Sequence, residues 1–143
     1  MLLCGTGMDT ERRQKQPLLS AVVPFLNEEE CIPALVAELG DCLSKLGIPF
    51  ELVLVDDGSR DQSVAVAKAE LSSRPQINAT VISLSRNFGK EAALTAGLEA
   101  ALGDVVVPLD ADLQDPPAII EEMLAHWREG YDVVYAVRRQ RAG

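Results

Sequence analysis

Apolar and polar residues alternate in blocks along this chain, and the blocks predict alternating strands and helices. Short runs rich in Val and Leu, each ended by polar residues, are typical of strands buried within a sheet. Five such runs lie at residues 19–25, 52–55, 80–84, 105–109 and 133–137. Helical spacing or helix-forming composition marks residues 32–46, 62–71 and 90–102, and a further helix should begin at Pro116 and Pro117.

This order of elements predicts an α/β fold. Strands that are apolar throughout must be covered on both faces, and helices between them allow successive strands to run parallel. We therefore expect a mostly parallel sheet sandwiched by helices, formed by residues 19–143. Residues 1–18 start apolar but turn polar at once, and the apolar part is too short for a signal peptide. We expect a flexible leader there.

Composition narrows the class of protein. With 48% apolar residues, the 143 residues suffice for the packed core of one domain. The formal net charge of -9 disfavours nucleic acid as a partner. Cys4, Cys31 and Cys42 lack the spacing of a zinc site or a disulfide framework, which favours reduced thiols in a cytoplasmic protein. No apolar run approaches the ~20 residues of a membrane helix.

Polar side chains of unusual kinds follow the predicted strands, where parallel sheets bind their ligands. The groups are Asn27-Glu28, residues 56–59, residues 86–90, residues 110–115, and Arg138-Arg139. A single group of this kind is usually a turn with a helix cap, because Asp and Ser favour those positions. Several groups at one edge of a sheet favour a ligand site.

The acidic group after the fourth predicted strand has the pattern of a cation site. Asp110 and Asp112 are two residues apart, so in an extended chain they project to one side, and Gln114 continues that phase. Such oxygen ligands suit Mg2+ or Mn2+, which keep positions open for water and substrate phosphates. The alternative for an isolated D-x-D pattern is that Asp115 caps the next helix while the other acids are solvated.

Basic residues near this acidic edge could supply the charge that a diphosphate needs beside a metal ion. They are Arg86, Lys90, Arg138 and Arg139. A solvated loop and tail is the alternative, and we favour it for Arg139. The lone His126 lies late in the last predicted helix, where a packing or surface role is expected.

Five segments resemble family-2 glycosyltransferases, and they occur in the family's order. They are VVPFLNEEE, LVDDGSRDQS, LSRNFGKEAALTAG, LDADLQDPP and GYDVVYAVRR, and the likeness covers about Ser20 to Arg139. DDGS marks the wider family. Within the family, the segment DADLQDPP makes the chain most similar to the polyprenyl-phosphate glycosyltransferases. These include dolichyl-phosphate mannosyltransferase and the bacterial undecaprenyl-phosphate sugar transferases. The resemblance implies a GT-A fold, of which this chain would hold the N-terminal part.

The resemblance also implies roles for individual residues. The nucleoside pocket would be lined by Pro24, Leu26, Glu28, Val55 and Asp57. The phosphates of the nucleotide sugar would meet Asp110, Ala111 and Asp112; the metal ion would be held by Asp112 and Gln114; and the diphosphate would contact Arg138. The catalytic group would then be Asp110, Asp112 and Arg138.

The implied reaction is the inverting transfer of a sugar from a UDP- or GDP-linked donor to a polyprenyl phosphate. The lipid phosphate is largely dianionic near neutral pH because its second pKa is about 6, so no strong protein base is needed. The protein would bind Mg2+ or Mn2+, neutralise the departing diphosphate and align the reactants.

Family members continue past this length with acceptor-site residues and often transmembrane helices. We therefore expect the donor-binding part of a cell-envelope glycan enzyme that works at the cytoplasmic face of the membrane. An unfinished sheet edge would favour self-association.

Three other functions share parts of this pattern. A sugar-phosphate nucleotidyltransferase would carry a glycine-rich, basic phosphate loop after the first strand, and none follows here. A receiver-type signalling domain would carry its acids after the first and third strands, whereas here they follow the second and fourth. A module that binds nucleotide sugar without turnover remains open, and binding without product formation would identify it.

Overall fold

The computed structural model describes residues 2–5, 16–113, 117–131 and 133–135, with side chains for residues 16–113 and 117–131. The strands are β1 (Leu2–Gly5), β2 (Leu19–Phe25), β3 (Phe50–Asp56), β4 (Asn78–Ser83), β5 (Val105–Pro108) and β6 (Val133–Tyr135). The helices are α1 (Ile32–Ser44), α2 (Ser63–Ser72), α3 (Lys90–Ala100) and α4 (Ile119–Arg128).

The six strands form one sheet in the order β4-β3-β2-β5-β1-β6. The four strands β2 to β5 run parallel to one another, and β1 pairs antiparallel with β5 and β6. The predicted α/β fold with a mostly parallel sheet is confirmed. Because Phe25 pairs with Asp56, and Asp56 with Ser83, the strands end together at one edge of the sheet.

The alternation of side chains along the strands separates two apolar clusters, one on each face. In β2, Ala21 and Val23 face the larger cluster, which contains the buried sides of α1 and α4 and Ala67 of α2. Val22 faces the smaller cluster with Ala93 of α3. The sheet is therefore covered on both faces, as its apolar strands require.

A glycine permits the close approach of α3 to the sheet. A Cβ added at Gly97 would lie 2.4 Å from Cγ1 of Val22 and 3.0 Å from Cγ2 of Val55. This contact fixes α3 across β2 and β3. The N-terminus of α3 consequently lies at the same sheet edge as the strand ends.

The structure differs from the prediction near the N-terminus. Residues 2–5 form β1, in which Cys4 pairs with Val106 of β5 and with Val133 of β6. The prediction of a flexible leader over residues 1–18 is therefore wrong for residues 2–5, while residues 6–15 lie outside the described part. The backbone of β5 gains hydrogen-bond partners from this short strand, a stabilisation that periodicity in four residues cannot reveal.

Candidate functional site

A cleft of about 520 Å3 lies at the carboxyl ends of the parallel strands. It is lined by Pro24, Phe25, Leu26, Glu28, Asp57, Asn87, Gly89, Lys90, Asp110, Ala111 and Asp112. Four of the five segments singled out in the sequence contribute to it. The cleft therefore lies at the edge where the sequence predicted a ligand site.

The loop after β2 forms one wall and is tied to the loop after β3. Asn27 has a φ of 53°, a left-handed conformation that Asn tolerates better than most residues. Its side-chain oxygen accepts from the backbone N–H of Arg60 at 2.8 Å, and its own N–H donates to Oγ of Ser59 at 2.9 Å. The N–H of Glu28 donates to Oγ of Ser63 at 2.8 Å. These bonds place the Glu28 side chain at the cleft.

Asp57 anchors the loop between β4 and α3. Its side chain is only 4% exposed, and its carboxylate accepts from the N–H of Phe88 at 2.9 Å and from that of Gly89 at 3.2 and 3.3 Å. Gly58 has a φ of 82°, and a Cβ there would lie 2.5 Å from backbone atoms of Arg86 and Asn87. The turn at residues 56–59 and the loop at residues 86–89 therefore form a single packed unit.

The turn after β5 at residues 110–113, here called the acidic turn, is closed by a backbone hydrogen bond. The N–H of Leu113 donates to the carbonyl oxygen of Asp110 at 3.1 Å, and Leu113 takes a left-handed φ of 54°. The Leu113 side chain packs against the larger apolar cluster, which holds the turn in place. Asp112 is an exposed residue that lines the cleft. Asp110 also lines the cleft and forms an ion pair with Lys90 of α3.

The described lining of the cleft is strongly acidic. Its charged groups are the carboxylates of Glu28, Asp57, Asp110 and Asp112 and the ammonium of Lys90, which together give a formal charge of -3. A diphosphate brought into such a cleft is repelled unless a cation accompanies it. A phosphorylated ligand at this part of the cleft would need a cation beside it.

The residues present fit such an ion, although they do not form a complete protein cage. In residues 16–113 and 117–131 there is no group of three or more His, Cys, Asp or Glu side chains that could hold a metal ion. Mg2+ in phosphate-binding enzymes is commonly held by one or two carboxylates plus the substrate phosphates. Asp112 supplies a hard oxygen donor of that kind, and Gln114 lies outside the described residues.

Cys31 lies beside the cleft at the start of α1, a position that the sequence analysis did not connect with the site. A hydrogen bond from its thiol to the Glu28 carboxylate raises the pKa of Cys31, as do partial burial and the nearby charge of Asp112. Cys31 and Cys42 are free thiols.

Most predicted site residues within the described range line the cleft. Those that do are Pro24, Leu26, Glu28, Asp57, Asp110, Ala111 and Asp112. Val55 does not, because it is fully buried in the smaller apolar cluster beneath α3. Arg86 also lies apart from the lining, with its guanidinium 4.6 Å from the centre of the Phe88 ring. Gln114, Asp115, Arg138 and Arg139 lie outside the described residues.

Phe25, Asn87 and Gly89 line the cleft although the sequence analysis assigned them no binding role. Gly89 has a φ of 106°, and its place between Asn and Lys in a loop is a signal that a special backbone turn is needed there. His126 is exposed on α4 beside Glu129, in agreement with the expected surface role.

Comparison of the sequence with known proteins finds glycosyltransferases. The family model of glycosyl transferase family 2 matches residues 20–143. Over 125 residues the chain is 49% identical to an uncharacterised glycosyltransferase of Synechocystis. The aligned residues make up 87% of this chain and 39% of that protein. Over 123 residues it is 43% identical to undecaprenyl-phosphate 4-deoxy-4-formamido-L-arabinose transferase of Pectobacterium atrosepticum, with 86% and 37% covered. The chain thus spans less than half the length of these relatives.

Solved structures show the same fold. A mannosyltransferase of Pyrobaculum calidifontis, in complex with GDP-Man and Mn2+, superposes with a TM-score of 0.60 at 26% identity, over 73% of this chain and 34% of that one. Glucosyl-3-phosphoglycerate synthase of Mycobacterium tuberculosis, in complex with Mn2+, UDP and phosphoglyceric acid, gives 0.65 at 27% identity, over 85% and 42%. The predicted GT-A fold is confirmed. No helix in the described part of the chain has the length and apolar character that crossing a bilayer requires.

Proposed function

Because this chain belongs to glycosyl transferase family 2, we propose that it forms the donor-binding part of an enzyme that transfers a sugar from a nucleoside diphosphate to a polyprenyl phosphate. The observation that carries the proposal is the acidic cleft at the strand ends, where Asp110 and Asp112 meet the walls formed by the loops after β2, β3 and β4. The relatives named as undecaprenyl-phosphate transferases support the lipid acceptor.

In this proposal the nucleoside occupies the side of the cleft formed by β2 and its loop. Pro24 and Leu26 offer apolar surface, and Leu26 is 36% exposed there. The Glu28 carboxylate has oxygen lone pairs beyond the one used by Cys31, so it can accept from hydroxyl or N–H groups of the nucleoside. Asp57 shapes the pocket by holding the loop at Phe88.

The diphosphate occupies the side formed by the acidic turn and the start of α3. Asp112 would hold Mg2+ or Mn2+ together with phosphate oxygens, and we propose Gln114 as a second ligand and Arg138 as a diphosphate contact from their motif positions. The ion supplies neutralisation of charge on the departing nucleoside diphosphate. Solved relatives with Mn2+ beside GDP-Man or UDP support this assignment.

The acceptor phosphate would attack the anomeric carbon in a single displacement that inverts it. A phosphate oxygen is already a nucleophile near neutral pH, so the cleft needs to position and neutralise rather than remove a proton. We further propose that the complete enzyme works at the cytoplasmic face of a membrane, and the relatives named as undecaprenyl-phosphate transferases support this part of the proposal.

Calorimetry of UDP and GDP binding tests the proposal. We expect distinctly tighter binding with Mn2+ than with chelator, because the cleft repels an unaccompanied diphosphate. Asp112→Asn should remove most of the metal-dependent gain while leaving the thermal unfolding nearly unchanged, since Asp112 is exposed. Equal nucleotide affinity with and without metal would refute the metal assignment.

Extraction of labelled glycolipid after incubation with nucleotide sugar, polyprenyl phosphate and Mn2+ tests transfer itself. Product would establish the chain as an enzyme with an acceptor site. Nucleotide binding without product would instead identify a donor-binding module.

A further inference from the structure

Two consecutive backbone N–H groups in the loop after β2 donate to side chains of the loop after β3. The N–H of Glu28 donates to Oγ of Ser63 at 2.8 Å, and the N–H of Glu29 donates to Oδ2 of Asp61 at 3.3 Å. The partners lie 35 and 32 positions apart in the sequence. These bonds therefore join one wall of the cleft to the segment that begins α2.

Asp61 is the residue on which both bonds depend. Its Oδ1 accepts from the hydroxyl of Ser63 and, at 2.9 Å, from the N–H of Ser63, while its Oδ2 accepts from the N–H of Glu29. A serine hydroxyl has one proton, so a hydroxyl that donates to Asp61 turns its lone pairs to the N–H of Glu28. Both carboxylate oxygens act as acceptors, and a side-chain amide in the same place offers only one.

The start of α2 does not by itself require this arrangement. The N–H of Ser63 needs one acceptor, and Oδ1 of Asp61 supplies it. The Oδ2 atom and the Ser63 hydroxyl hold the backbone of a different loop. Ser63 is buried and Asp61 is partly buried, and neither belongs to the described lining of the cleft. An effect of Asp61 on a ligand must therefore pass through Glu28, which does line the cleft.

We propose that Asp61 is a positioning residue for the nucleoside half of the donor. It fixes the backbone of Glu28 through the Ser63 hydroxyl, and thereby the place from which the Glu28 carboxylate meets the nucleoside. The inference rests on the proposed function, in which the diphosphate occupies the other side of the cleft, at the acidic turn. Loss of Asp61 should consequently weaken recognition of the nucleoside and spare recognition of the diphosphate.

Calorimetry of the 143-residue chain with Mn2+ compares two probes, a nucleoside diphosphate and inorganic pyrophosphate, which has no nucleoside. The nucleoside diphosphate is UDP or GDP, whichever the unaltered chain binds more tightly. Asp61→Asn should weaken its binding about tenfold, the size of one lost hydrogen bond to a charged group, and should leave pyrophosphate affinity unchanged. Ser63→Ala removes the hydroxyl that connects Asp61 to Glu28 and should give the same pattern. Asp41→Asn removes the same charge from an exposed position of α1 and serves as the matched control.

A double-mutant cycle shows whether Asp61 acts through Glu28. In a Glu28→Gln background, Asp61→Asn should have little further effect on nucleotide affinity, because the carboxylate that it positions is already absent. An equal loss in both backgrounds would overturn the inference, as would a loss of pyrophosphate affinity by the same factor. Circular dichroism of each variant verifies that it folds.

Amide hydrogen exchange tests the positioning without any ligand. Relative to the amides of β3, the amide of Glu28 should exchange faster in Asp61→Asn and in Ser63→Ala than in the unaltered chain. An unchanged relative rate would overturn the inference.

Together the measurements distinguish failure of this inference from failure of the proposed function. If the unaltered chain binds neither UDP nor GDP, the nucleotide ligand is refuted, whatever the exchange rates are. If it binds nucleotide and Asp61→Asn binds it equally well, the role of Asp61 alone is refuted.

Discussion

Replacing Gly58 by alanine should destabilise the chain more than its small size suggests. Gly58 has a φ of 82°, and the left-handed region costs a residue with a Cβ about 1–2 kcal/mol. In addition, the new Cβ would lie 2.5 Å from the carbonyl carbon of Arg86 and from the nitrogen of Asn87. Both are backbone atoms, so the clash cannot be relieved by rotating a side chain.

The loop must therefore move, and its hydrogen bonds to Asp57 are the ones at risk. Asp57 is buried, with 4% of the residue exposed, and its carboxylate accepts from the N–H groups of Phe88 and Gly89. A hydrogen bond to a charged group contributes about 1.5–3 kcal/mol. Loss of one such bond, added to the backbone strain, gives an expected destabilisation of about 2.5–5 kcal/mol.

Urea denaturation measures this loss, and Gly47→Ala provides the control. Gly47 also has a left-handed φ, of 71°, but a Cβ there meets no atom within 4 Å. It should lose only the conformational part, about 1–2 kcal/mol. If Gly58→Ala unfolds at the same urea concentration as Gly47→Ala, the close packing of the two loops is refuted. Weaker nucleotide binding by Gly58→Ala under folding conditions would link the packing to the cleft.

Three further predictions concern other parts of the chain. A hydrogen bond from Ser63 lowers the pKa of Asp61 in the folded chain. Ionised Asp61 therefore stabilises the fold above its unfolded pKa of about 4, and this stability is lost as pH falls through the lower folded pKa. The unfolding free energies of the chain and of Asp61→Asn should converge below about pH 4, and a constant difference would contradict this. The hydrogen bond to Glu28 raises the pKa of the Cys31 thiol. Because the thiolate is the reactive form, alkylation of Cys31 near pH 8.5, measured by mass spectrometry, should be faster in Glu28→Gln. An unchanged rate would exclude the bond. Gly97→Ala should destabilise the folded chain by about 1–2 kcal/mol, because overpacking against a valine of β2 outweighs the better helix propensity of Ala. A raised melting temperature would show instead that the contact relaxes.

The parallel part of the fold could be predicted because its signals are local. Each of β2, β3 and β5 contains a run of four or more consecutive apolar residues, and α1 repeats its buried residues at helical spacing. Strand β1 could not be predicted in this way. Its four residues are stabilised by partners more than a hundred positions away, in β5 and β6, and no periodicity in so short a segment reports that pairing.

The site was predicted from motif position, and its detailed contacts were not. The ends of parallel strands place Asp57 and Asp112 at one cleft, which follows from topology alone. The partner of Lys90 required the packing of α3, and the position of Arg86 over an aromatic ring required the loop conformation. The burial of Val55 could have been predicted. Side chains alternate along β3, so Val55 lies on the face of the sheet that α3 covers.

The acidic character of the cleft is consistent with an acidic substrate if the positive charge enters with the substrate. Breaking the bond to the sugar adds negative charge to the diphosphate, so a cation near it binds the departing nucleoside diphosphate more strongly than the intact donor. Here the described lining has one ammonium among four carboxylates. In the proposed function, the divalent ion and Arg138 would therefore add the neutralising charge. An ion held by few protein ligands stays only while the diphosphate shares it. In the proposed function, the coordination that neutralises the leaving group therefore also allows the ion and the nucleoside diphosphate to leave together.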